Sequence, residues 1–238
     1  MIPSVVFRYL VMYLALVPAV VLHEVAHGWV AWRLGDPTAK ARGRLSLNPL
    51  VHIDPIGTIL LPALLLILQT GVLFGYARPV PINASYFRNP LKGMLYTAAA
   101  GPATNLLLAA SMTVLVRLVL LAVPESAILD SSVGANIVRT IMALTYYFVV
   151  WNVVLTVFNL IPIPPLDGSR ILSYFLSADG RRLLASIERY GFLILFAVLL
   201  IDSRLPTGPL SWVLGNAVEG WRSLLGDKWT LAWFLFAS

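Results

Sequence analysis

Apolar residues in this chain fall in long runs instead of alternating with polar ones. Five stretches stand out, at about 7–34, 56–75, 93–122, 136–161 and 183–201. Each comes close to or exceeds the ~20 residues that a helix needs to cross the hydrocarbon layer of a bilayer. The pattern predicts an all-α polytopic membrane protein, a helical bundle of about 5–6 transmembrane or re-entrant segments. A less regular tail follows with Trp212, Trp221, Trp229 and Trp233, spaced as tryptophans are when they anchor a helix at headgroup depth. The gaps between the apolar runs are rich in turn formers. One gap contains Ala77-Arg78-Pro79-Val80-Pro81-Ile82, which predicts an extended, edge-strand-like piece and hence a small β-strand or hairpin element in an otherwise helical fold.

Composition agrees with the pattern. Hydrophobic residues make up 59% of the 238 and charged residues 12%, and the mean hydropathy is +0.83, more than a soluble domain of this length needs for its core. The formal charge of +6 is no sign of nucleic acid, because Lys and Arg of membrane proteins collect in cytoplasmic loops. Here they lie in 34–55 (Lys40, Arg42, Arg44), 76–92 (Arg78, Arg88, Lys92) and 168–182 (Arg170, Arg181, Arg182), while 123–136 holds Glu125 and Asp130 and no base. The first three are therefore expected inside and the last outside. If 34–55 and 76–92 share a side, the segment between them enters and returns; its Pro62, Gly71 and Gly75 suit a broken path, although its length also suffices for one ordinary crossing.

Inside the first apolar run lies His23-Glu24-Val25-Ala26-His27. Ionisable side chains at membrane depth are expensive and mark function. On a helix the two histidines share a face one turn apart and can present two imidazoles to one metal ion, with Glu24 beside them as a proton acceptor. No cysteine occurs, so the ion must be held by nitrogen and oxygen donors. A catalytic zinc normally takes three protein ligands, and a third is needed. Most acidic residues lie in loops or the tail; the exception is Asp167, in Phe158-Asn159-Leu160-Ile161-Pro162-Ile163-Pro164-Pro165-Leu166-Asp167-Gly168. Three prolines there prevent a regular helix, and non-helical backbone at membrane depth normally marks a site. Because the run from Phe7 to Leu22 leads straight into the motif, it is expected to be retained and not cleaved as a signal.

These motifs, with Gly101-Pro102-Ala103-Thr104-Asn105 between them, resemble the site-2 protease family of intramembrane zinc metalloproteases in its short prokaryotic form. The resemblance covers most of residues 7–175. It implies Zn2+ on His23, His27 and Asp167, with Glu24 as catalytic base, and a single domain over 1–238 whose catalytic core spans about 7–175 and whose C-terminal helices span about 181–238. It favours active-site places for Asn105 and Asn159, as substrate or oxyanion contacts; the residues alone fit interhelical hydrogen bonds equally well. The implied activity is hydrolysis of peptide bonds in or near the transmembrane segments of a membrane-protein substrate. A zinc-binding carrier or sensor without hydrolysis is the alternative, and Glu24 discriminates, since a carrier has no need of a base there. The expected partners are a transmembrane protein or peptide and the lipid bilayer, with no nucleic acid, and the oligomeric state is open. The expected location is the cell membrane, multi-pass, with the active site near the cytoplasmic side. Residues 76–84 are expected to offer edge pairing to an unwound substrate strand.

Overall fold

The computed structural model describes residues 4–67, 75–122 and 133–225. Trp229 and Trp233, the acidic gap with Glu125 and Asp130, and the later part of the second apolar run with Gly71 lie outside the described residues. In chain order the helices are α1 (Ser4–Arg33), α2 (Thr38–Ala41), α3 (Leu61–Ile67), α4 (Pro90–Ala122), α5 (Val133–Asn159), α6 (Asp167–Phe175), α7 (Ala178–Glu188), α8 (Gly191–Asp202) and α9 (Pro209–Leu225). Among the described residues three helices, Tyr9–Arg33, Pro90–Leu121 and Asn136–Asn159, are long and apolar enough to cross a membrane. The run expected at 183–201 is divided: α7 and α8 meet at a bend of 74°. Asp179, Arg181, Arg182 and Glu188 make α7 polar, and the apolar run begins in earnest only at Gly191.

The three long helices pack on one another, α6 docks against α4, and α9 lies along α5. Burial inverts the soluble pattern. On α1 the buried positions include Val11, Ala15, Ala19, His23, His27 and Ala31, each four residues after the last. On α4 a matching row runs Thr97, Gly101, Asn105, Ala109 and Thr113. Large residues point outward instead, as Leu107 (67% exposed) and Leu121 (83%) do. Lipid solvates leucine as well as a protein core does, so helices gain little by hiding large side chains from it. They gain by close approach, which small residues permit. A hydrophobic cluster farther along the bundle is formed by Ala109, Val116, Leu120, Met142, Tyr146, Val149 and Val153, with Leu225 of α9 closing it.

Loops cap the end of the bundle near residue 33. Asp36 is fully buried and staples them: its Oδ1 accepts from Thr38 N at 2.9 Å and its Oδ2 from Asn83 N at 2.6 Å. Asp54 starts the next helix by accepting from Ile56 N and Gly57 N, and the first turns are π-helical over Pro55–Leu60 before α3. Tyr76 N donates to Gly57 O at 3.0 Å, and Thr58 Oγ1 donates to Tyr76 O at 2.9 Å. The chain thus comes back at residue 76 to the place it left at 57.

No β-strand occurs among the described residues. The 75–83 segment is extended, but it is tied down bond by bond rather than in a ladder. Arg78 N donates to His52 O at 2.8 Å and Val80 N to a side chain of α1. The intervening Pro79 and Pro81 have no N–H. Arg44 ties the segment down further, its guanidinium donating to the carbonyls of Val51 and Arg78. Burial, and secondarily the charge of Arg78, lower the Arg44 pKa from the ordinary arginine value, while Glu24 acts the other way.

If small residues set the helix spacing, Ala15→Leu, at a position 1% exposed, should cost about 1–3 kcal/mol by overpacking. Leu107→Ala, on the outward side, should leave stability nearly unchanged. Unfolding midpoints of the two variants in detergent check this, and an equal loss in both would contradict it.

Candidate metal centre

Because α1 is continuous through the motif, His23 and His27 sit one above the other. Their rings are nearly perpendicular, at 86°, and their Nε2 atoms are 3.0 Å apart. Asp167 reaches them from the far end of the chain as the first residue of α6. The link from α5 to α6 turns tightly through Pro162, Pro164 and Pro165, and Gly168 lies so close to the Leu160 carbonyl that an added Cβ would come within 2.5 Å of its carbon. A glycine there lets the carboxylate be carried up against α1. Asp167 Oδ2 lies 3.2 Å from each of the two Nε2 atoms. Among the described residues these three form the one group whose geometry could hold a metal ion.

The hydrogen bonds on the other side of each ring decide what faces the centre. His27 Nδ1 lies 2.6 Å from the Thr97 carbonyl. A carbonyl only accepts, so Nδ1 carries the proton and, in the neutral ring, Nε2 presents a lone pair. His23 Nδ1 lies 2.5 Å from Asn105 Oδ1, and the same reasoning applies. Two ring lone pairs and a carboxylate oxygen therefore converge, and Asp167 Oδ2 is buried with no hydrogen-bond partner. A proton among them would satisfy one edge of this triangle, yet the three edges are nearly equal. A zinc ion with bonds of ~2.0–2.1 Å at tetrahedral angles separates neighbouring donors by about 3.3–3.4 Å. The donors present fit zinc in type, number and spacing.

Helix α4 supports this arrangement along one row. Ala19, His23 and His27 of α1 face Asn105, Gly101 and Thr97 of α4 in antiparallel order. Gly101 sits where a side chain would collide with the imidazoles: an added Cβ would lie 2.5 Å from His23 Cε1 and 2.6 Å from His23 Nε2, and closer still to His27 Nε2. Asn105 is fully buried. Its amide nitrogen donates to Ala19 O at 3.2 Å and to Asn152 Oδ1 at 2.7 Å, and Asn152 donates in turn to Phe148 O at 2.7 Å.

Glu24 reaches the extended segment, where its Oε2 accepts from Val80 N at 3.0 Å. Pro79 and Pro81 flank that amide, so the Pro-Val-Pro triplet has a single N–H and directs it to Glu24. Asn159 donates to Leu155 O of its own helix at 3.0 Å. His52, a loop residue, is bonded through Nε2 to Ser46 O at 2.8 Å.

Sequence reasoning thus named the residues that converge, and it missed Thr97, Val80 and Asn152. The spacing of Thr97, Gly101 and Asn105 repeats the four-residue spacing of the histidines and could have singled out Thr97. Asn152 is one of the few amides in an apolar helix. For Val80 no sequence signal exists, because its contribution is a backbone N–H.

Comparison with known proteins bears on the same residues. The family model for peptidase family M50 matches residues 11–201. A Bacillus subtilis (strain 168) protein named "Putative zinc metalloprotease YwhC" is 38% identical over 220 residues, covering 90% of this chain and 89% of the relative. Proteins named "Putative zinc metalloprotease Rip2" are 33% identical over 182 residues in Mycolicibacterium smegmatis and 31% identical over 179 in Mycobacterium tuberculosis H37Rv. In both cases the match covers 75% of this chain and 62% of the relative. No solved structure matches the chain. A match over most of the chain, together with a largely buried triad of zinc-type donors, places this protein in peptidase family M50, the site-2 protease family, as a zinc metallopeptidase.

Proposed function

We propose that the chain is an intramembrane endopeptidase, one that cuts peptide bonds in or near the transmembrane segments of other membrane proteins, with His23, His27 and Asp167 as its zinc ligands and Glu24 as its base. The observation that carries this reading is the closure of a three-donor site inside a bundle of long apolar helices. Within the single domain, the ligands come from α1 and from the start of α6, so residues 7–175 hold the whole site and the later helices flank it.

Zinc, held by these three residues, would polarise the scissile carbonyl and lower the pKa of a coordinated water towards neutrality. The chain's own residues supply the proton traffic and the positioning. Glu24, adjacent to the first ligand, takes the proton of the attacking water and returns it to the leaving amine nitrogen. The Val80 N–H holds one carboxylate oxygen and so limits the rotation of this side chain. Asn105 has both amide hydrogens committed to Ala19 O and Asn152, which favours a supporting role over contact with a developing oxyanion. Asn159, at the end of α5, has only its bond to Leu155 O, which leaves its amide oxygen uncommitted for contact with substrate.

A helical substrate must unwind before its carbonyl can be attacked. The extended segment lies beside the base, and its N–H groups at 76, 78 and 80 are all used within the protein. A substrate strand laid along the opposite edge would find carbonyl acceptors but, at Pro79 and Pro81, no donors. It would be bound mainly through its own N–H groups.

Topology follows from the basic loops. The contact of Gly57 with Tyr76 supports a second segment that enters and returns, leaving 34–55 and 76–92 on one side. With both loops cytoplasmic, His23, His27 and Asp167 lie near the cytoplasmic face of a multi-pass protein of the cell membrane.

Purified in detergent and offered a single-pass peptide, Glu24→Gln should bind zinc as the native chain does and lose about 10²–10⁴-fold in turnover; a fully active Glu24→Gln would remove the base from the mechanism. Asp167→Ala should lose stoichiometric zinc by elemental analysis. Gly101→Ala should also lose zinc while keeping its helix content by circular dichroism, because the added methyl meets the imidazoles; retention of zinc by Gly101→Ala would show that the rings have room to move.

A further inference from the structure

Asn152 is fully buried near the middle of α5, in a stretch otherwise made of valine, leucine, tryptophan and aromatic residues. It is no metal ligand, and no step of the hydrolysis uses it. Its surroundings nevertheless determine which nitrogen of His23 faces the metal. Asn152 Nδ2 donates to the Phe148 carbonyl at 2.7 Å. That carbonyl can only accept, so it fixes which way the Asn152 amide is turned and leaves Oδ1 directed at α4. Asn152 Oδ1 and Ala19 O are then two acceptors facing Asn105, at 2.7 and 3.2 Å. They take both of its amide hydrogens.

An inverted Asn105 would set its oxygen against two other oxygens and leave Asn152 Oδ1 without a donor, which is costly in a buried site. The oxygen of Asn105 is therefore held towards His23 Nδ1, 2.5 Å away, and that position must carry the ring proton. Nε2 is left as the lone pair aimed at Asp167 and His27. Without Asn152, the Asn105 amide keeps only Ala19 O as a guide and can turn. Turned, it presents N–H to His23 Nδ1 and favours the tautomer whose proton sits where the metal belongs.

We propose that Asn152 is a positioning residue for zinc binding, acting through Asn105 to hold His23 in the tautomer that coordinates. The proposal rests on the assignment of His23, His27 and Asp167 as the ligand set. Thr156 provides the control: one turn further along α5, its hydroxyl donates to the main-chain carbonyl of Asn152 at 2.7 Å and lies 3.3 Å from Pro102 O, so it shares the burial and the interhelical packing but bonds to neither side-chain amide of the relay.

The test uses the full-length chain in detergent and measures zinc affinity by competition with a chromophoric chelator. Asn152→Leu is expected to bind zinc about 10-fold more weakly, the lower end of what loss of outer-shell partners costs, and Thr156→Val is expected to bind as the native chain does. Asn152→Ala, which removes the acceptor without adding bulk, should behave as Asn152→Leu does and serves if the leucine variant does not fold. Adding Asn152→Leu to Asn105→Leu should weaken binding no further than Asn105→Leu alone, since the relay is already cut. In the zinc-free native chain, 15N spectra of histidine should show His23 protonated at Nδ1, and in Asn152→Leu a mixture of tautomers.

Native affinity in both Asn152 variants, or an equal loss in Thr156→Val, overturns the role of Asn152 while leaving the ligand assignment intact. Zinc binding unaffected by Asp167→Ala overturns the ligand assignment itself, and the relay with it.

Discussion

Three lone pairs directed at one point inside a bundle of apolar helices repel one another, and a low-dielectric surrounding sharpens that repulsion. Holding His23, His27 and Asp167 in that arrangement is the central physical demand on this protein. In the absence of a cation the arrangement is costly; with one it becomes a site closed on three sides. Continuous helix stacks the two imidazoles, a proline-broken link brings the carboxylate up against them, and a glycine in the facing helix leaves space for the rings. Each element is ordinary. Their joint placement is what a folded chain must enforce.

Enforcement comes from helix spacing rather than from hydrophobic burial. The row from Val11 to Ala31 on α1 meets the row from Thr97 to Thr113 on α4, and both advance four residues at a time. This common period lets two bonds from α4 reach two rings of α1 in register, Thr97 to His27 and Asn105 to His23. A shift of one turn would break both bonds and place a side chain in the metal site. The small residues that permit close approach and the polar residues that orient the ligands thus belong to one row, so packing and coordination are specified together.

Much of this was legible in the sequence, and the part that was not has a physical cause. The two histidines and Glu24 announce themselves because ionisable groups are rare at membrane depth, and Asp167 because prolines break the helix before it. Helical periodicity gives the face on which a residue lies but not the residue opposite, so Asn152 and Thr97 could be read as buried without their partners. Val80 acts through its backbone, to which sequence is nearly blind. The expected strand at 77–82 met the limit that proline sets on ladders: the segment is extended, yet with no donors at 79 and 81 it is held by separate bonds to His52, Glu24 and Asp36. The run at 183–201 reads as one span by hydropathy, while the charges of α7 and the turn at Arg189–Tyr190 divide it in two.

The choice of second partners for the imidazoles fits the same economy of charge. Metal-bound histidines are commonly oriented by carboxylates, but here the Thr97 carbonyl and the Asn105 amide do this work, and both are neutral. A dication held by this group would be balanced by the neighbouring carboxylates. A carboxylate behind either ring would add an uncompensated negative charge in a medium where isolated charges are expensive. A neutral acceptor orients the ring without that penalty, but a side-chain amide can face either way unless something outside it breaks the symmetry. A protein that orients a ligand with an amide therefore needs a further residue to orient the amide, and the Phe148 carbonyl, read through Asn152, meets that need.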